Sequence, residues 1–326
     1  MLMFVVTSLQ AQREMKTIND NWEFRKSIDE SWESVNLPHT FNIDAYQQRN
    51  YYQGKGFYRR TLVLPEIVAE RRYYMKIDAA SKAANIRVNG KEVGSHVGGY
   101  TACIVDITEY IRKENLIEIT VDNGRKDITP ISADFAFWGG IYRDVWLIST
   151  PKQHFNMSNM GSDGIFISTP VVNEKRGVLK VKCEVTNDSH ESSILEVRSA
   201  IYSPQGKLLQ TIKQKQKLKS GETYIFENTS GAIESPDLWS PDTPSLYLVK
   251  TTLVDPKSGK LLDEKNHKVG FRWFTFDGSK GFFLNGKSYK LRGLNRHQDQ
   301  APAGVALDDE AHRRDIFLMK ELGCNF

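Results

Sequence analysis

Apolar and polar residues alternate with a period of two through most of this chain, in short runs closed by turn residues. Ile86 and Val88 flank Arg87, and Asn89-Gly90 follows. Ile117, Ile119 and Val121 alternate with Glu118 and Thr120; Leu179, Val181, Cys183 and Val185 alternate with Lys180, Lys182, Glu184 and Thr186. A strand sends successive side chains to opposite faces, so each run has one buried and one wet face. Asn-Gly supplies the residues that a type I′ hairpin turn demands. Pro204-Gln205-Gly206-Lys207 and Asp255-Pro256-Lys257-Ser258-Gly259-Lys260 are further turns. Many short strands with such turns imply a β-sandwich or jelly roll.

The length, 326 residues, suggests two or three domains, and 40% apolar with 11% aromatic content is ample for a core in each. The pattern breaks near Thr150-Pro151. Residues 13–150 read as the jelly roll. Residues 151–275 hold about seven short strands, Leu195, Val197 and Ile201 repeating the alternation, which is the size and spacing of an immunoglobulin-like sandwich. No Cys…Trp…Cys spacing marks it as an antibody-type domain. Over 276–326 the pattern changes. Phe282 to Lys287 is a hairpin turning at Asn285-Gly286, and Lys290 to Asp299 reads as a short buried strand opening onto a polar pocket. Asp308-Asp309-Glu310 suit a helix start, His312, Ile316, Met319 and Leu322 recur at helical spacing, and Gly323 suits the C′ position. Asn325-Phe326 looks like the start of the next strand. Strand, loop, helix and strand make the first unit of a (β/α)8 barrel, which needs about eight such units to close. The fold class is therefore mainly β: a jelly roll, an immunoglobulin-like sandwich, then the truncated start of a barrel.

Net charge is +4 with both signs interspersed, which argues against a dedicated nucleic-acid binder. Lys213, Lys215, Lys217 and Lys219 share one strand face. The two readings are an anion site and a solvated, aggregation-resistant face, of which the second is preferred. Cys103, Cys183 and Cys324 show no metal or disulfide spacing and are expected to be buried, inert thiols. Residues 1–12 read as the apolar part of a signal peptide ending near Ala11, which implies a periplasmic or secreted protein. No other stretch approaches the roughly 20 apolar residues of a membrane helix.

Six stretches carry a family resemblance. Arg292-Gly293-Leu294-Asn295-Arg296-His297 resembles the strand-end signature of glycoside hydrolase family 2, the β-galactosidase and β-glucuronidase family. Gly139-Gly140-Ile141-Tyr142-Arg143-Asp144-Val145 resembles the same family's sugar-binding domain, as do Val35-Asn36-Leu37-Pro38-His39-Thr40 and the Tyr51 to Arg60 run. Leu238 to Pro244 and Val269-Gly270-Phe271-Arg272 resemble the ends of its central sandwich.

The resemblance implies a carbohydrate substrate and a retaining glycosidase with two catalytic glutamates, about 5 Å apart, on later barrel strands. No acidic residue in this chain matches their motifs, so the fragment is expected to be inactive alone. Asp134 stands where galactosidases of the family place an acidic residue that contacts a substrate hydroxyl and, in some members, a sodium ion. The alternative is that it only caps its loop. His297 matches a histidine that binds sugar hydroxyls, and Arg296 an arginine that helps to hold the nucleophile; Asn295 lies beside them. For this trio the alternative is a purely structural barrel-mouth network. Arg143 and Asp144 are given a structural role. Galactoside is the first choice of substrate because the run from Asn295 to Phe326 looks most like bacterial β-galactosidases; glucuronide and mannoside remain open, as does a non-catalytic carbohydrate-binding fragment. Na+ or Mg2+ in the complete enzyme, and a homo-oligomer, are further implications of the family.

Overall fold

The alternating runs form strands where they were expected, because each can bury one face against a second sheet. The computed structural model describes residues 12–131 and 133–326. The leader reading falls on 1–11, outside the described residues. The chain separates into two units, one of 14–149 with 295–322, the other of 150–294 with Arg13 and 323–326.

In the first unit the strands are β1 (Glu14–Thr17), β2 (Trp22–Arg25), β3 (Glu33–Val35), β4 (Lys55–Val63), β5 (Arg71–Ile77) and β6 (Ala80–Ser81). They are followed by β7 (Ala83–Val88), β8 (Lys91–Val97), β9 (Cys103–Asp106), β10 (Glu114–Asp122), β11 (Gly140–Ile141) and β12 (Val145–Pro151). One sheet runs β3-β2-β4-β10-β7-β8, the other β1-β12-β5-β9, with β6 and β11 paired separately. In β10, Ile119 lies opposite Tyr58 on one side and Ile86 on the other. All three are at most 1% exposed, and with Trp22, Met75 and Val121 they form the core. Each such side chain contributes roughly 1.5–3 kcal/mol on burial. Asn89 and Gly90, at φ 52° and 77°, close the β7–β8 hairpin as a type I′ turn should.

The second unit holds β13 (Gln153–Phe155), β14 (Ile165–Val172), β15 (Arg176–Asn187), β16 (Ser193–Tyr202) and β17 (Leu208–Leu218). It continues with β18 (Glu222–Thr229), β19 (Ile233–Glu234), β20 (Tyr247–Val254) and β21 (Leu261–Val269). Strand β15 pairs with β13, β14, β18 and β19, and the facing sheet runs β17-β16-β20-β21. Leu179, Val181, Cys183 and Val185 are all at most 1% exposed beneath Phe226 and Phe271. Lys213, Lys215 and Lys217 project to solvent from the edge strand β17, and Lys215 Nζ lies 3.0 Å from Glu196. This matches a solvated edge guarded by charge.

A small meander follows, β22 (Phe274–Asp277), β23 (Gly281–Leu284) and β24 (Lys287–Ser288), turning at Asn285-Gly286 with φ 51° and 77°. The helix α1 (Asp309–Glu321) starts where expected, with Asp308 Oδ1 accepting from Ala311 N at 2.8 Å, and Gly323 beyond it at φ 82°.

Three expectations are corrected. Residues 290–294 are not a buried strand; all but Leu291 are exposed and none has strand pairing. Their backbone neighbour is 325–326, where Asn325 N and Phe326 N both donate to Arg292 O, and 325–326 is not a strand either. A barrel strand is held by ladders on both edges and by covered faces, and neither is provided here. Cys324 is half-exposed for the same reason, whereas Cys103 and Cys183 are buried. Among the described residues no helix is long and apolar enough to cross a membrane.

Candidate functional site

The loop from Asn123 to Gly140 is built to hold Asp134 at its tip. Gly140 has φ 134°, and a Cβ there would fall 2.2 Å from His39 O, so the strand β11 can pass the 39–42 segment only as glycine. His39 N donates to Ile141 O at 2.8 Å and Phe41 N to Gly139 O at 3.0 Å. Two buried amides complete the anchor. Asn42 Nδ2 and Asn123 Nδ2 both donate to Phe137 O, at 2.9 and 2.7 Å, and Asn42 Oδ1 accepts from Gly139 N at 2.8 Å. Phe137 N donates to Tyr51 OH at 2.7 Å.

Asp134 itself is exposed, with no hydrogen bond or ion pair among the described residues. It opens onto a cleft of about 800 Å3 shared with Tyr46, Arg49, Tyr51, Phe135 and Phe137. Its neighbour Phe135 lies 6.3 Å, centroid to centroid, from the His297 ring. The two motifs, distant in sequence, therefore meet in this unit. What seats the second against the first is a small apolar cluster of Ala79, Tyr142 and Val305, flanked by Trp138 and Ala306. Gly304, at φ 60°, sits where a Cβ would press on Trp138 and Thr40 at 3.0 Å. Tyr46 packs against Trp138 in a tilted arrangement, with centroids 5.0 Å apart.

His297 and Asn295 are exposed, and Asn295 makes no hydrogen bond to Asp134 or His297. Arg296 points elsewhere. Its Nε donates to Asp315 Oδ2 at 2.7 Å, and its Nη2 reaches Asp315 Oδ2 and His312 Nδ1, both on α1. Gln300 Nε2 donates to both Asp315 oxygens at 3.1 Å. The Arg296 guanidinium holds the Asp315 carboxyl below the usual carboxylate range, with Gln300 and His312 adding to it. The site thus joins Asp134 and His297 through Phe135, with Arg296 locking the second loop to the helix. A lone exposed carboxylate is a poor fit to a bound cation, and among the described residues no group of three or more His, Cys, Asp or Glu could hold a metal. Arg143 and Asp144 behave structurally: Arg143 lies over the Tyr142 ring, and Asp144 accepts from Asn19 Nδ2 at 2.8 Å.

The pattern reading missed Asn42, Asn123 and Tyr51. Their partners are backbone groups from 14 to 97 residues away, a pairing that no local periodicity encodes.

Comparison with known proteins agrees with the three-part layout. Residues 6–151 match the sugar binding domain of glycosyl hydrolases family 2, 163–272 match that family's central model, and 277–326 match its TIM barrel domain. A solved β-glucuronidase from Bacteroides uniformis superposes with a TM-score of 0.94 and 53% identity, over 97% of this chain and 39% of that one. A putative β-glucuronidase from Formosa agariphila is 35% identical over 96% of this chain and 38% of its own length. A β-galactosidase from Bacteroides ovatus is 28% identical over 98% of this chain and 38% of its own. The chain thus spans less than half the length of these relatives. By its motifs, its fold and these matches, the chain belongs to glycosyl hydrolases family 2.

Proposed function

We propose that the protein carrying this chain is a retaining β-glucuronidase that releases terminal glucuronic acid from β-glucuronides. The observation that carries this reading is the 53% identity, over 97% of the chain, to a B. uniformis protein named a β-glucuronidase. A galactoside, to which the run from Asn295 to Phe326 points, is the second reading, supported by a relative named a β-galactosidase at 28%. In either case Asp134 and His297 face the sugar hydroxyls, Asn295 lies at the rim, and Arg296 fixes the loop that carries His297. One carboxyl of the complete barrel attacks the anomeric carbon while the other protonates the leaving oxygen; water then cleaves the glycosyl-enzyme. No residue here takes either part, so residues 1–326 alone are expected to give no turnover. Export through the leader belongs to the same proposal.

The test is a panel of nitrophenyl β-glycosides with the full-length protein. Glucuronide should exceed galactoside and mannoside by at least about 100-fold in kcat/KM, about 2.7 kcal/mol of discrimination. Equal rates, or a galactoside preference, would overturn the glucuronidase reading. Turnover by purified 1–326 would overturn the expectation of inactivity.

A further inference from the structure

Lys82 is only 9% exposed, and buried lysines need partners for the ammonium. It lies just before β7, its backbone fixed by Lys82 N donating to Asp122 O at 3.1 Å and Lys82 O accepting from Gly98 N at 2.9 Å. The Nζ donates to two main-chain carbonyls, Ile128 O at 2.9 Å and Pro130 O at 3.2 Å. It also stands 5.4 Å from the centroid of the Phe137 ring. One cation therefore touches both limbs of the loop, at 128–130 and at 137, and Asp134 lies between them. The other anchors, Asn42, Asn123 and Tyr51, all grip the 137–139 limb. Among the described residues Lys82 supplies the side-chain hydrogen bonds to 128–130.

The geometry points to Lys82 as a positioning residue that sets Asp134 against the sugar, an inference that rests on reading Asp134 as a substrate contact. Ammonium hydrogen bonds to carbonyls are charge-assisted and strengthened by exclusion of water, so they resist exchange with solvent. The Phe137 face adds a cation–π attraction from the opposite limb. A neutral chain of similar length fills the space but holds neither carbonyl. The loop would then sample positions in which the Asp134 carboxylate misses the substrate hydroxyl, and small misplacements at such sites are costly.

The experiment is a double-mutant cycle in the full-length enzyme, with hydrogen exchange on the jelly roll as the independent readout. Lys82→Met should lower kcat/KM by about 10-fold or more, chiefly through KM, and Lys82→Arg, which keeps a cation within reach of both carbonyls, should recover most of it. In an Asp134→Ala background, Lys82→Met should cost less than about threefold, because the group it positions is gone. Exchange over 127–131 and 133–137 should rise while β4 and β10 stay protected. An undiminished loss in the Asp134→Ala background would place the effect of Lys82 elsewhere and overturn the proposal. So would an unchanged kcat/KM, or loss of protection across β4 and β10, which would make Lys82 a core element. If Asp134→Ala alone leaves kcat/KM unchanged while glucuronide is still cleaved, Asp134 is no substrate contact and Lys82 is a loop anchor only. Failure to cleave any glucuronide would instead count against the proposed function.

Discussion

His39 packs its ring on Phe24, 4.8 Å between centroids, and shares a 2.9 Å hydrogen bond with Tyr58 OH. Burial, with Lys26 adding to it, pushes the imidazole down to about 4. The unfolded chain takes up the proton first, near the ordinary histidine value of about 6.5. Stability from the neutral ring is therefore complete above about 6.5 and is lost as pH falls toward 4. By pH 5 the loss should be about 2 kcal/mol, and His39→Gln, which keeps a polar contact without the charge, should remove most of that slope. Urea unfolding of both proteins at neutral pH and at pH 5 measures it; parallel slopes would refute the assignment. A second residue-scale case lies in the immunoglobulin-like unit. Asp263 is fully buried and takes Arg13 Nη2 at 2.7 Å and Phe155 N at 3.0 Å. Asp263→Ala strands a buried guanidinium and should cost about 3–5 kcal/mol in that unit's unfolding, a figure that a loss below 1 kcal/mol would contradict. His39 lies in a motif run, but nothing local marks it as buried, and Asp263 did not stand out in the sequence at all. An aspartate in the run Leu261 to Val269 looks like any other wet-face residue until its partner, far away in sequence, is known.

Strands and turns were the legible elements, because a half-buried strand writes its environment into alternate positions. Ile117, Ile119 and Val121 declare a buried face with no knowledge of the partner strand. Positive-φ turns are equally local, which is why Asn89-Gly90 and Asn285-Gly286 were readable. The stretch 290–294 was not, because its apolar content describes a strand only when neighbours exist to pair with it. Glycines make the same point. Gly90 has φ 77° with open space around its would-be Cβ, so Gly90→Ala meets only backbone strain, about 1 kcal/mol. Gly140 combines φ 134° with a main-chain oxygen at 2.2 Å, so Gly140→Ala must displace β11 or the 39–42 segment. Its cost should exceed about 3 kcal/mol in thermal unfolding and should loosen the Asp134 loop with it. Similar melting temperatures for the two variants would show that the close approach at Gly140 is not a constraint.

At the scale of the whole molecule, stability is uneven. The core strands of both units are sealed, whereas no residue of α1 is buried, and Ile316, Phe317 and Leu318 are 52%, 67% and 49% exposed. A helix of 13 residues is marginal by its own propensity, since nucleation is costly and stability comes mostly from packing. What retains this one is polar: the Asp308 cap, worth about 1 kcal/mol, and the solvent-screened pair of Asp315 with Arg296. Those terms cannot match the hydrophobic burial that holds β4 and β10. Amide exchange over 309–321 should therefore run at least about 100-fold faster than in β4 and β10, through local opening that leaves the sandwich intact. Exposed apolar side chains of this size favour association, so the 326-residue chain should sediment with concentration-dependent mass, and Phe317→Lys should reduce it. Protection across 309–321 equal to that of β10, together with a monomer at all concentrations, would mean that the helix face is covered in solution. The sequence signals at Asp308 and Gly323 mark the ends of this helix correctly, but ends do not confer stability, and only packing against its apolar face can.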